Sequence, residues 1–503
     1  MRKAWIVIVM FGLLSCGKSE RPSPIVAIEM RQVPVEIREL VPEGAHAILY
    51  MESARRVRML VSGAWSGGRG FDPLTMLARQ VGFDPTAVER GKPIAVAFRL
   101  RPGSFQPQWT VILPAKDPAA LAAAHKAGLS QVRGGYVGLA MSDEYQPGGS
   151  RLGEEVPRGT IALRIDMARV SKEYGRDLQQ LGRLVTAAVG DAIPAPLLRS
   201  ALASLNDVVD HADWLDLVGE IDAGEARIDV AYRAKAGSPL AKAREFANLR
   251  DLVERVPPDL AVTMLYSFEL AELVEAADGF LGSGLLLGAP EPVRKTLKAF
   301  LKIAREMGPE WMIGIDPDID HGVEIVGGMR CSRATRRLEE LYAVLHTHLS
   351  DYLKFSEREI DGTRVHGTIL ADEDARARML EATPWFHYSH EMAAQDDWIA
   401  LRWGKDQNRM NSVLKKHKPT KSLRRLLRRA GPKPWFLVRA DLRRLGHGIT
   451  GLMRKHGQFA PDIPGGRPAE VTLFGARHGR TYRFGLTIDL EEIPGLIHDY
   501  KTR

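Results

Sequence analysis

Cysteine is nearly absent: Cys16 and Cys331 are the only two in 503 residues. That count excludes a disulfide-stapled scaffold. Beyond the extreme N-terminus no apolar run approaches the roughly 18 residues of a membrane-crossing helix. The longest charge-free candidate, 279–290, is interrupted by glycines and a serine. Charge of one sign is scarce too, with 70 Lys and Arg against 62 Asp and Glu and a net charge of +8. An excess so diluted gives no reason to expect a nucleic-acid partner. What is present is a globular composition, 45% hydrophobic and 26% charged, with enough chain for two domains.

The first residues are organised differently. Arg2 and Lys3 precede an apolar run over 4–14, then Ser15 and Cys16, the layout of a secretory leader. The ending Leu13-Leu14-Ser15-Cys16 resembles the lipobox of bacterial lipoproteins. That resemblance implies removal of 1–15 and attachment of acyl chains to the thiol and amine of Cys16. Each buried methylene contributes about 0.8 kcal/mol, so several chains on one residue anchor a protein durably. With Cys16 acylated, Cys331 has no partner for an intramolecular disulfide. Lys18 stands where the inner-membrane sorting signal of enteric bacteria has an aspartate, which implies the outer membrane, facing the periplasm. Residues 16–40, with Pro22, Pro24 and Pro34 and no clean period, read as the acylated cysteine and a tether.

Two patterns alternate in the rest of the chain. One is an apolar strand ending in a helix-capping residue: 46–53 with Ser53, 161–166 with Asp166, 261–267 with Ser267 and 435–441 with Asp441. The other is a pair of strands followed by a cap: 94–113 with Asp117, 214–232 with Ser238, 311–329 with Ser332 and 471–488 with Asp489. Ser53 to Ser267 is 214 positions and Asp117 to Ser332 is 215, so two separate caps shift together. The spacing predicts a duplication: two similar tandem α+β domains of mostly antiparallel sheet, with helices packed on one face. They are placed at 41–252 and 256–503, about Val256-Pro257-Pro258. Asp117 to Asp166 spans 49 positions and Ser332 to Asp441 spans 109, which puts extra length, around 372–433, in the second domain.

Catalytic motifs are not assembled in the linear sequence. Ser283 has Leu281 and Leu285 where a nucleophile elbow needs glycines two positions to either side, and no phosphate-binding loop occurs. Asp316, Asp318 and Asp320 have the spacing of a calcium loop, but His321 and Gly327 stand where that loop needs glycine and glutamate. His346 and His348 sit two apart on an expected helix over 332–355, and so point away from each other. His387, His390 and Glu391 meet only if that stretch is a helix, and they lack the spacing of a zinc pair. No metal, cofactor or catalytic residue is assigned.

The strongest anomaly is the run 415–433, with nine Lys and Arg and no acid. From Ser422 onward Leu423, Leu426, Leu427 and Ala430 fall at helical spacing, with arginines on the other faces and Gly431-Pro432 as the stop. Lys415, Lys416, Lys418, Lys421, Arg424, Arg425, Arg428 and Arg429 are the candidate contact with an anionic surface, either lipid or lipopolysaccharide. A surface helix that packs its leucines and solvates its arginines accounts for the same pattern. The expectation is a lipid-anchored envelope protein that acts as a non-enzymatic binding or scaffold module, with a membrane and an envelope protein or anionic lipid as partners. The alternatives are a carrier of lipid or another hydrophobic ligand, and an envelope hydrolase whose site assembles only in space.

Overall fold

The computed structural model describes residues 28–64, 72–175, 208–267 and 308–489, with breaks of at most six residues, and a few positions between 291 and 303. The chain forms two compact units, Met1–Glu245 with Arg477–Pro494, and Phe246–Ala476 with Gly495–Arg503.

In the first unit the strands are β1 (Met30–Gln32), β2 (Ala47–Met51), β3 (Ile94–Arg101), β4 (Ser104–Pro114), β5 (Ser130–Arg133), β6 (Tyr136–Ala140), β7 (Glu155–Pro157), β8 (Ile161–Asp166), β9 (Ala212–Asp222) and β10 (Glu225–Ala234). The main sheet runs β5-β6-β4-β3-β2-β8-β9-β10, every pairing antiparallel. Its outer partner is the last described strand of the chain, Thr481–Asp489, which pairs with β10 from Glu225↔Asp489 to Arg233↔Thr481. That long ladder is why Arg477–Pro494 belongs to this unit and not to the sequence-adjacent one.

The second unit is built from β11 (Val262–Ser267), β12 (Glu310–Asp318), β13 (Gly322–Arg330), β14 (Leu353–Ile360), β15 (Thr363–Leu370), β16 (Ser389–Gln395), β17 (Trp398–Trp403), β18 (Pro434–Asp441) and β19 (Glu470–His478); Thr481–Asp489 is β20. The order is β14-β15-β16-β17-β13-β12-β11-β18-β19, again antiparallel throughout. In the first unit β5-β6-β4-β3-β2-β8-β9 therefore reads as β16-β17-β13-β12-β11-β18-β19 in the second. The units are two similar antiparallel α+β domains, related by strand order. What the second adds is the hairpin β14–β15 with helix Glu373–Ala382, and helices Asn408–Leu414 and Lys421–Ala430 before β18. Only part of this added length lies within 372–433.

The helices whose two ends are both among the described residues are α1 (Val35–Leu40), α2 (Ala54–Ala64), α3 (Pro73–Val81), α4 (Pro118–Ala124), α5 (Ala334–Leu349), α6 (Glu373–Ala382), α7 (Asn408–Leu414), α8 (Lys421–Ala430) and α9 (Leu442–Lys455). Several start where the sequence supplies a cap. Ser53 Oγ accepts from Arg56 N, Asp117 Oδ1 from Ala120 N ahead of Pro118, and Asp166 Oδ1 from Arg169 N. Asp441 Oδ1 accepts from Arg443 N and Arg444 N. Ser267 Oγ instead accepts from Ala247 N, and α5 is preceded by Arg333 at φ 59 without a side-chain cap from Ser332.

Helical cover extends beyond the one expected face. In the first unit α2, α3 and α4 bury Val57, Leu74, Val81 and Leu121 against Ile94, Val96, Val111 and Leu139. On the opposite face Ile37 and Leu40 of α1 pack with Ile48, Ala95 and Ile112. Residues 30–40 were expected to be tether, yet β1 pairs with β7 and Ile37 and Leu40 are fully buried. Their apolar spacing outweighs the prolines, so the candidate tether lies upstream of β1.

Alternation along β17 shows the same two-sided burial in the second unit. Trp398 and Ala400 join the cluster under α7 and α8, while Ile399 and Leu401 join the cluster under α5. The helix expected over 332–355 ends at Leu349, because β14 starts at Leu353. His387 and the charge-free run 279–290 lie outside the described residues.

Candidate anionic-surface site

The basic run folds into a short extended link and a helix, both tied to the second unit. Lys415 ends α7 in an extended conformation, and Arg255 Nη1 donates to Leu414 O at 2.8 Å. His417 N donates to Glu254 O at 2.6 Å, and the His417 ring nitrogen Nε2 lies 2.7 Å from Ser412 O. Pro419 resists helix, and Thr420 starts α8 by accepting from Leu423 N at 3.3 Å. Gly431, at φ 87, closes it, a conformation glycine adopts without side-chain strain.

On α8 the burial follows the helical period. Leu423, Leu426 and Ala430 are buried in the core with Leu427 partly so. The leucine face is thus committed to the domain and is not available to lipid in this structure. The arginines divide. Arg425 lies 3.6 Å from Glu470, which also accepts from Ser422 Oγ at 2.6 Å and Arg439 Nε at 3.0 Å. Arg429 lies over the Phe474 ring at 5.5 Å. Lys421, Arg424 and Arg428 fall within about 60° of each other on the outward side. They are exposed, and among the described residues none has an acidic partner.

The link behaves similarly. Lys415 lies 3.6 Å from Asp361 and Lys416 4.0 Å from Glu254, while Lys418 is exposed with no acidic partner among the described residues. All eight sequence-assigned cations therefore sit on one stretch of one domain. Lys418, Lys421, Arg424 and Arg428 form its free part. Lys415 and Lys416 also border a cleft of about 240 Å3, with Arg255, Asp361, Thr363 and Asp396 on its other walls.

Around the start of α7 is an ion network that sequence reading missed. Glu391 accepts from Arg358 Nε and Nη2 at 2.9 and 2.8 Å and from Arg402 Nε at 2.9 Å. Asp316 accepts from Arg444 at 2.8 and 2.9 Å and from Arg409 at 2.5 Å; Arg409 also pairs with Asp259. Glu324 Oε1 accepts from the amides of Lys405 and Asp406 at 2.5 and 2.9 Å. Burial raises the Glu324 pKa, and those two amides and Arg402 pull against the rise. Gly404, at φ 153, permits this approach: a Cβ there would strike the Glu324 carboxylate. The network orders the link between β17 and α7, and so positions the start of the basic run. Parity was the available signal, since Arg402 occupies the same strand face as buried Trp398 and Ala400.

Other candidates are used structurally. Asp316 belongs to the network, and Asp318 Oδ1 accepts from the amides of Asp320 and His321, closing the β12–β13 turn. His390 and Glu391 lie on a strand and point to opposite faces; His390 packs on Trp403 at 4.5 Å. The β period there replaces the helical turn that would have brought them together. Among the described residues no group of three or more His, Cys, Asp or Glu is arranged to hold a metal, and no helix is long and apolar enough to cross a membrane.

No family model matches the chain, and neither does any curated protein. Among solved structures, crystal form III of TP0453 aligns over 49% of this chain and 96% of its own, at 9% identity and a TM-score of 0.24. Crystal form IV aligns over 50% and 97%, at 10% identity and a TM-score of 0.23. Scores this low carry no argument about fold or role.

Proposed function

We propose that this chain is a lipid-anchored envelope protein, held by acyl chains on Cys16 at the outer membrane and facing the periplasm. It acts as a non-enzymatic binding or scaffold module whose basic band meets an anionic lipid or lipopolysaccharide surface. The observation that supports this reading is the division of α8: its leucines are used by the core, while Lys421, Arg424 and Arg428, with Lys418, remain exposed and unneutralised. At about 1 kcal/mol per basic residue near an anionic surface, four such residues contribute about 4 kcal/mol at low salt. Contact is through charge alone, so it weakens as the Debye length falls from about 30 Å at 0.01 M to about 8 Å at 0.15 M.

The test is sedimentation of the chain without residues 1–16, so that no acyl anchor contributes, with vesicles containing anionic phospholipid. Replacing Lys418, Lys421, Arg424 and Arg428 by glutamine is expected to lower vesicle affinity at least a hundredfold in low salt and to leave melting unchanged. Undiminished binding by this variant would remove the proposal.

A further inference from the structure

The cleft beside the basic band differs from it in charge, and that difference points to a ligand class. Its walls are the β14–β15 turn with Asp361, the β16–β17 turn with Asp396, the end of α7, Lys415 and Lys416, and Arg255. Arg255 is fixed by its bond to Leu414 O at 2.8 Å and by the Trp398 ring 5.6 Å beneath its guanidinium. The lysines here make only long ion pairs, which a ligand of both signs can replace. Lys415 and Asp361 stand 3.6 Å apart, beyond hydrogen-bond distance, and Lys416 reaches Glu254 only at 4.0 Å. Among the described residues Asp396 has no ion pair.

A simple anion entering here meets two carboxylates, and a simple cation meets three positive groups. A compound with both signs a few bonds apart fits, its phosphate toward Arg255, Lys415 and Lys416 and its ammonium toward Asp361 and Asp396. The volume of about 240 Å3 falls below the roughly 300–1,000 Å3 of sites for drug-sized ligands, so a small polar head group matches it. We propose that this cleft binds a phosphate ester carrying a primary amine, supplied as the head group of an envelope phospholipid. The assignment to a lipid rests on the reading of the basic band above; the match of charges does not.

The experiment is calorimetric titration of the full acylated chain in detergent with O-phosphoethanolamine, inorganic phosphate and ethanolamine. Phosphoethanolamine is expected to bind at least tenfold more tightly than either half, and Asp396→Asn or Lys416→Gln to weaken it at least tenfold. Asparagine tolerates the φ of 55 at position 396, and Lys416 is exposed, so both variants are expected to fold. Equal binding of inorganic phosphate, or binding that neither variant changes, overturns the proposal. The source is decided by binding of the chain without residues 1–16, which carries no acyl anchor, to vesicles of equal anionic content with or without phosphatidylethanolamine. Preference for phosphatidylethanolamine that is lost in Asp396→Asn supports the lipid head group, and preference confined to the soluble compound overturns that assignment. The fourfold glutamine variant of the band should keep phosphoethanolamine binding. A failure of the cleft is thus distinguishable from a failure of the band.

Discussion

Asp216 on β9 stands opposite Arg164 on β8, and Arg164 lies over the Trp214 ring at 4.5 Å. The two charges are 3.6 Å apart, too far for a hydrogen bond, and burial pushes Asp216 up to about 6 against the pull of Arg164. An acid whose folded pKa exceeds its unfolded value binds its proton more tightly when folded. Its contribution therefore favours folding at low pH and is lost as pH rises from about 4 to about 6, a span equivalent to about 3 kcal/mol at most. Asp216→Asn is expected to flatten that part of the stability profile, measured as melting temperature against pH from 4 to 7. In the second unit Arg402 is the corresponding pressure point, since its removal leaves Glu391 short of a donor and Glu324 short of a nearby positive charge. Arg402→Met is expected to cost about 3–5 kcal/mol in denaturant titration, far more than a surface arginine.

At the scale of elements, α8 carries two roles on one period. Leu426→Ala should destabilise the second unit by about 2–5 kcal/mol, as loss of a buried leucine does, whereas Arg424→Gln should shift stability by no more than about 0.5 kcal/mol. A comparable loss from both would mean that the outward side packs against something in the native chain. The helix itself was legible because its leucines, its cap and its Gly431-Pro432 stop are all local signals. Which arginines stay free was not. Arg425 and Arg429 are drawn aside by Glu470 and Phe474, which come from β19, about 45 residues later in the chain. The strand 389–395 shows the opposite failure: its short polar sequence fits either period, and pairing with β15 and β17 decided it.

At the scale of the whole molecule, the proposed leader and the two-unit body make separate commitments. Cys16→Ser is expected to abolish incorporation of labelled palmitate and to move the protein from the membrane fraction to the soluble one. Persistence in the membrane fraction without label would mean that something other than acylation retains the protein. The duplication appears in the structure as one strand order used twice, with β14–β15 and α6 to α8 as additions to the second copy. The candidate site lies almost wholly on those additions. It is where the two copies differ, and so where a function specific to one of them has room.

The sequence by itself determined the alternation of strands, turns and caps, the spacing that marks a duplicated α+β fold, the lipobox-like leader and the position of the basic run. All of these depend on contacts within a few residues or on patterns that repeat along the chain. Only the tertiary structure decided that residues 30–40 pack into the first unit, that β20 joins it from the far end of the chain, and that buried carboxylates on β12, β13 and β16 are held by arginines or backbone amides. Those outcomes depend on which surfaces remain to be buried once the sheets form. That is a property of pairing between distant segments, and no local pattern records it.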